Sequence, residues 1–348
     1  MRRRSTLILA LALSLISTAC TENRMMTKPM NSPKIDKLFE KTKPVCFGRF
    51  VIDVPVEAKV LHGTQDFSSP IETVENGAAR THELANKKYK EVVAATKTYD
   101  RAEVRLFEQG PTQRSWSLLY WESDIAKEVG ILAIHGYLAA GAHGFIVRSS
   151  TAPSEGRTEA TEKAELAHIA TNLRARSPED IPAEPGVCLD LGFIADDTGK
   201  YQEIIGIGFR FPSLPDVSLS ISSNKDGQTP EALSKRRKQA EKLALDSPFA
   251  AAFSKVKVLR EGERRIAQWD GEEALFRRPR EEGGVWHELR FSYPGIRYDH
   301  RNPRLDATLF TGVERNTAGA LESSLSDEEA IALWDRMLAT LRLRVPVR

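Results

Sequence analysis

The chain has 348 residues, 41% of them hydrophobic, and a formal net charge of +2. That is more than one typical domain of roughly 100–200 residues, with enough apolar material to bury real cores, so two domains are expected. Arg2, Arg3 and Arg4 supply part of the small positive excess, and nothing in the balance calls for nucleic acid, which favours a concentrated basic face.

The first element is a leader. Met1-Arg2-Arg3-Arg4 precedes an apolar run over 7–16 and the small residues Ser17-Thr18-Ala19-Cys20, the pattern of a secretory signal with a lipid-attachment site. The run is shorter than the ~20 residues a permanent membrane helix needs. The expectation is cleavage after residue 19, lipid on Cys20 and a flexible tether over 20–43. Ser17 stands where such sites usually carry Leu, and Thr21 lacks the Asp linked to inner-membrane retention, which favours the periplasmic face of the outer membrane.

From residue 44 the chain repeats itself. A Val45-Cys46 strand is echoed by Val187-Cys188, and Leu173-Arg174-Ala175-Arg176 by Leu341-Arg342-Leu343-Arg344. In the first unit the apolar spacing predicts a helix over 74–97 with Ala85, Tyr89, Val92 and Thr96 on one side. Strands follow over 103–107, 114–122, 129–138 and 144–149, then a terminal helix capped by Thr158. In the second unit, strands over 201–211 and 216–222 precede a helix over 229–245. Strands over 256–259, 264–269, 272–278, 285–293 and 305–314 come next, and a last helix carries a Ser326/Glu329 capping box. That helix sets Ile331, Trp334, Leu338 and Leu341 on one face. The fold class is α+β: two related domains, 44–176 and 186–348, each an antiparallel sheet with a long helix and a terminal helix against one face. Pro178, Pro182 and Pro185 mark 177–185 as the linker.

With lipid on Cys20, only Cys46 and Cys188 remain as thiols in an oxidising compartment. They occupy equivalent places in the two units. A disulfide between them and two separately buried thiols are both consistent with the sequence.

A search for chemistry returns no catalytic, metal or cofactor motif. The chain has no G-x-S-x-G, H-E-x-x-H or phosphate-binding loop. Gly206-Ile207-Gly208 reads as a core strand, and Lys235-Arg236-Arg237-Lys238 as a solvated helix face. His135 and His143 flank a glycine-rich hairpin where they could face each other across strands, without a third metal ligand.

The two Cys strands, Val45 to Pro55 and Gly186 to Ile194, together with the closing Trp334 helix, resemble the two-domain immunity proteins that neutralise phospholipase effectors of bacterial type VI secretion. The resemblance covers about residues 44–346 in element order. It implies a periplasmic protein, often a lipoprotein, that is not an enzyme. Its two lobes would grasp the cap of a cognate lipase effector and prevent opening. The shared motifs belong to the scaffold, so contact residues do not transfer.

From composition alone, partner contacts are expected at a charged tip (Arg278, Arg280, Glu281, Glu282) and in a following loop (Tyr298, His300, Arg301), because Arg and Tyr are common binding hot spots. Two other readings stay open in the residues: an envelope lipoprotein holding a peptide or lipid between its lobes, and an exported hydrolase whose site is assembled from distant residues.

Overall fold

Twelve antiparallel strands join into one sheet in the computed structural model, which describes residues 32–95, 101–227, 231–245, 250 and 254–344. The leader, Cys20, most of the tether and the helix start at 229–230 lie outside these residues.

The first half runs β1 (Thr42–Phe47), β2 (Phe50–Pro55), β3 (Lys59–Phe67), β4 (Ser69–Val74), α2 (Thr81–Ala94), β5 (Glu103–Gln109) and β6 (Trp116–Trp121). Then come α3 (Asp124–Glu128), β7 (Ala133–Ala140), β8 (His143–Ser150), α4 (Glu159–Asn172) and β9 (Leu173–Ala175). The second half repeats the order without a counterpart of α3: β10 (Gly186–Leu189), β11 (Gly192–Ala195), β12 (Glu203–Phe211), β13 (Leu214–Asn224) and α5 (Leu233–Leu245). It ends with β14 (Lys257–Ile266), β15 (Trp269–Pro279), β16 (Val285–Tyr293), β17 (Arg304–Phe310), α6 (Asp327–Leu338) and β18 (Arg342–Leu343).

Across the large sheet the order is β14-β15-β16-β17-β13-β12-β3-β4-β8-β7-β6-β5. Each strand in one half has its counterpart at the mirrored place in the other. The centre is the β12–β3 pair, with Phe209 opposite Val60 and Glu203 opposite Phe67. An approximate twofold therefore passes between β3 and β12. Two small sheets, β1-β2-β18 and β10-β11-β9, exchange their closing strands: each Cys hairpin is completed by the final strand of the other half.

Several expectations change. The long and terminal helices flank opposite faces of the sheet. Alternation explains this: Leu118, Tyr120, Ala133 and Tyr137 cluster with Ala85 and Val92 of α2, while Leu119, Ile134 and Leu138 join the core that holds Leu166 and Ile169 of α4. β3 and β4 occupy 59–74, so the first long helix starts later than residue 74. The strand expected at 256–259 and the start of that expected at 264–269 are one strand, β14, which turns after Ile266 so that Trp269 belongs to β15.

Within the expected tether, α1 (Pro33–Leu38) is capped by Ser32 and buries Ile35. Lys34 pairs with Glu329 at 3.5 Å and Arg336 with Asp36 at 3.0 Å, fastening α1 to α6. The capping box at Ser326 forms as expected: Glu329 N–H donates to Ser326 Oγ at 3.2 Å, and Ser326 N–H to Glu329 Oε2 at 3.0 Å. Ile331, Trp334, Leu338 and Leu341 are all buried.

Candidate partner-binding surface

The back of the sheet is a locked joint. A disulfide links Cys46 and Cys188, with Cα atoms 5.9 Å apart, and Gly48 and Cys188 exchange two backbone hydrogen bonds of 2.8 Å beside it. Arg176 and Arg344, equivalent in the repeat, both turn inward and hold the linker by its carbonyls. Arg176 donates to the carbonyls of Ser177 and Asp180 (3.1 and 2.9 Å), and Arg344 to those of Pro182, Glu184 and Gly186. Burial, reinforced by nearby Arg49, Arg176 and Arg174, pushes Arg344 down to about 10.

Arg49, in the turn after the first Cys strand, reaches across the joint to Glu203 (2.7 Å) and Asp196 (2.6 Å). Burial opposes the charge on Asp196, yet hydrogen bonds from Thr198, Arg49 and Gly199 hold its carboxyl below the ordinary range. These contacts tie the halves with ion pairs that are themselves well coordinated.

The front of the sheet differs. α2 covers β5–β7 and α5 covers β15, and among the described residues no helix covers the sheet between them. Alternation puts Gly206, Gly208, Ser218, Ser220, Ser222 and Thr308 on this side, with Ser220 and Ser222 exposed. The same side carries longer groups: Leu61 of β3 is exposed opposite Gly208, Arg210 and Phe310 flank Ser218, and Asp306 stands opposite Ser222, a mixed polar and apolar face of the kind that meets another macromolecule.

The contact residues expected from sequence separate into two groups. Arg278, Arg280, Glu281 and Glu282 sit where β15 turns into β16; Tyr298, His300 and Arg301 sit beyond its other end. A nine-residue strand of about 30 Å separates them, so they do not form one patch. Arg278 is occupied with Glu288 and lies over the rings of Phe276 and Trp286. Arg280 donates to the carbonyls of Gly319 (3.1 Å) and Ala320 (2.9 Å). Both act as fasteners, while Glu281 and Glu282 are exposed. Tyr298 and Arg301 are exposed, and His300 is half-buried against Gly199.

Sequence reading passed over the surface at α3. Ile125, Val129 and Ile131 are all exposed there, and nearby Trp121 lies under Lys127 (5.0 Å) and Arg105 (5.9 Å). The signal was available: three branched apolar residues lie among charges in a short connection.

The structure also arranges one set of enzyme-like groups. His287 Nε2 is 3.0 Å from Asp327, and its Nδ1 is 3.0 Å from Thr311 and 3.1 Å from Ser323. The imidazole is fully buried, and Ser323 Oγ donates to Leu325 O and accepts from Leu325 N–H. A nucleophile engaged in a turn beside an enclosed base offers no approach to a substrate; the network fixes the loop that leads into α6. His135 and His143 do not face each other: His135 pairs with Arg148, and His143 pairs with Ala140 at the hairpin end. Among the described residues no group of His, Cys, Asp or Glu is placed to hold a metal, and no helix is long and apolar enough to cross a membrane.

Comparison with known families places the whole repeat. The model of the Tle cognate immunity protein 4 N-terminal domain matches residues 43–180, and that of the C-terminal domain matches 180–346. The chain belongs to the Tle cognate immunity protein 4 family. It is an immunity protein of the type VI secretion system and not an enzyme.

Solved structures agree on the fold of this family member. The apo immunity protein TplEi from Pseudomonas aeruginosa matches with a TM-score of 0.73 and 24% identity, covering 88% of this chain and 98% of that one. TplEi complexed with an "L" peptide matches at 0.69 and 23%, covering 88% and 99%. A chain of the Tle4–Tli4 complex matches at 0.75 and 24%, covering 88% and 98%. A comparison with curated proteins found no match.

Proposed function

We propose that this immunity protein binds a cognate type VI secretion phospholipase in the periplasm and inhibits it by clamping the lid or cap region, while lipid on Cys20 tethers it to the membrane. The observation that carries the reading is the pair of family domains spanning 43–346. A chain of this fold is also found in the Tle4–Tli4 complex, which supports a protein partner. Two halves joined by a disulfide, ion pairs and a pinned linker suit a clamp, because little joint freedom remains to be lost on docking.

Such an inhibitor works by preferring one state of its target. Moving a lipase lid from 99% open to 99% closed takes about 5.5 kcal/mol of differential binding. The test is co-expression with a Tle4-type lipase from the same genome, exported to the periplasm and scored for survival. Purified protein should abolish lipase activity on phospholipid vesicles more than on a soluble short-chain ester. Equal loss on both substrates would argue against lid clamping, and no protection would sink the immunity reading for that lipase. Labelled palmitate should enter the wild type and not Cys20→Ser.

A further inference from the structure

The repeat makes corresponding connections comparable, and one is out of proportion. β7 and β8 are joined by two residues, 141–142. Their counterparts β16 and β17 are joined by residues 294–303, Pro-Gly-Ile-Arg-Tyr-Asp-His-Arg-Asn-Pro. The first connection shows that pairing two such strands does not require this excursion.

The long loop is rigid. Ile296 N–H donates to Asn302 O at 2.7 Å and Tyr298 N–H to Lys225 O at 3.0 Å. Asp299 accepts from Arg301 N–H and from Asn302 Nδ2, each at 2.8 Å. Trp269, fully buried, donates its indole N–H to Arg301 O at 3.1 Å. His300 fills the space where a Cβ on Gly199 would stand.

What this frame holds out is apolar. Ile296 is 56% exposed and Tyr298 is 60% exposed. Tyr298 has φ 67°, a left-handed conformation that is unfavourable for a bulky side chain and free for glycine. Folding of this chain alone gains nothing from an exposed tyrosine there. The Arg297 guanidinium lies 4.6 Å over the Tyr298 ring and fixes its orientation. Within the loop, Arg297 and Arg301 outnumber the one carboxylate, Asp299, which is engaged inside it; outside the loop, Asp226 lies near Arg297.

We infer that loop 294–303 is the preorganised recognition element of the clamp, seating Ile296 and Tyr298 in an apolar pocket of the lipase effector whose rim carries carboxylates facing Arg297 and Arg301. This rests on the function proposed above. A rigid loop that exposes an aromatic, an aliphatic and two arginines matches the composition of hot spots and binds with little ordering cost.

The test uses the full chain and the lipase against which it protects in the co-expression assay, with affinity measured by calorimetry and folding by thermal melting. Tyr298→Gly removes the ring and relaxes the backbone. It should leave Tm unchanged or higher while weakening binding at least about 30-fold. Ile296→Ala should weaken it in the same direction, and Arg297→Glu with Arg301→Glu should do so most at low salt. Glu281→Lys, at the far end of β16, should bind as wild type does. Wild-type affinity in Tyr298→Gly overturns the loop assignment and leaves the immunity reading standing; failure of the wild type to bind overturns both. If the variants instead lose retention on phosphatidylglycerol vesicles, or dissociate a dimer, with lipase affinity intact, the loop serves a membrane or a second copy and the inference is wrong.

Discussion

The two terminal helices show how far equivalent elements diverge while keeping one backbone. Aligned through the Leu-Arg-x-Arg endings, Glu162 of α4 corresponds to Ala330 of α6, Glu165 to Leu333, and Leu166 to Trp334. α6 meets the sheet mainly with Ala330, Leu333, Trp334 and Met337, all fully buried, and keeps the carboxylate of Asp335 at the margin, paired with Arg260 and Arg264 of β14. α4 instead buries Glu162, which holds Arg157 at 2.7 Å and receives Ser149. Over α4, Gly136 leaves the room that Leu166 fills. The scaffold depends on where helices and strands lie and tolerates either chemistry inside, so its two halves are free to present different surfaces. That is the freedom a two-lobed binder requires.

The largest test of this comparison severs the joint on which both halves depend. Reducing Cys46–Cys188, or replacing both with Ser, should destabilise the protein by roughly 2–5 kcal/mol, because the bond closes a long loop in the unfolded chain. The expected readout is a single unfolding transition that moves to lower denaturant, since the large sheet and the exchanged strands couple the halves. Two separated transitions would mean the halves are independent after all.

Within the joint, Trp334→Ala should cost about 3–5 kcal/mol and Leu166→Ala about 2–5 kcal/mol by chemical denaturation. The tryptophan variant should be the worse of the two, because it also strips the indole donor that lies 3.1 Å from Glu273. Equal costs would show that the helices contribute alike despite their different faces.

A third difference lies under α2. There His135 is driven to a pKa of about 4, first by burial and then by the charges of Arg148 and Lys88. The unfolded chain takes up this proton near pH 6.5 and the folded chain near 4. Stability is thus complete above about 6.5 and declines as pH falls through that window, by up to about 3 kcal/mol. His135→Phe should flatten the decline in a pH series of melts; an unchanged slope would assign it to other groups. The smallest effect is expected at the caps: Ser326→Ala and Thr158→Ala should each cost about 1 kcal/mol, measured by the same melts.

Much of the scaffold was legible because repetition is a sequence property. The paired Cys strands, the cap at Thr158, the Ser326/Glu329 capping box and the Trp334 face were readable as local patterns. β3 was not. Its inward side carries His62 and Gln65, which meet the turn at Asp190: Asp190 N–H donates to Gln65, and His62 lies 3.5 Å from its carboxylate. A strand whose buried face bonds to a turn shows no apolar alternation. α1 is a single short helix whose reason to exist is its contact with α6, some 300 residues away in sequence, so composition made it look like tether. The contact residues were half legible: composition found the loop with Tyr298, but it grouped that loop with Arg278 and Arg280, whose side chains are consumed by neighbours.

The sequence by itself determined that this is a doubled α+β chain with equivalent cysteines and no catalytic motif, because spacing, capping and repetition are encoded locally. Only the tertiary structure decided that the two halves share one sheet and exchange their closing strands. It also put the helices on opposite faces and, among the described residues, left β12 and β13 without a covering helix on one side. Those outcomes follow from hydrogen-bond partners and buried faces distant in the chain, and periodicity states that a face is buried without stating against what.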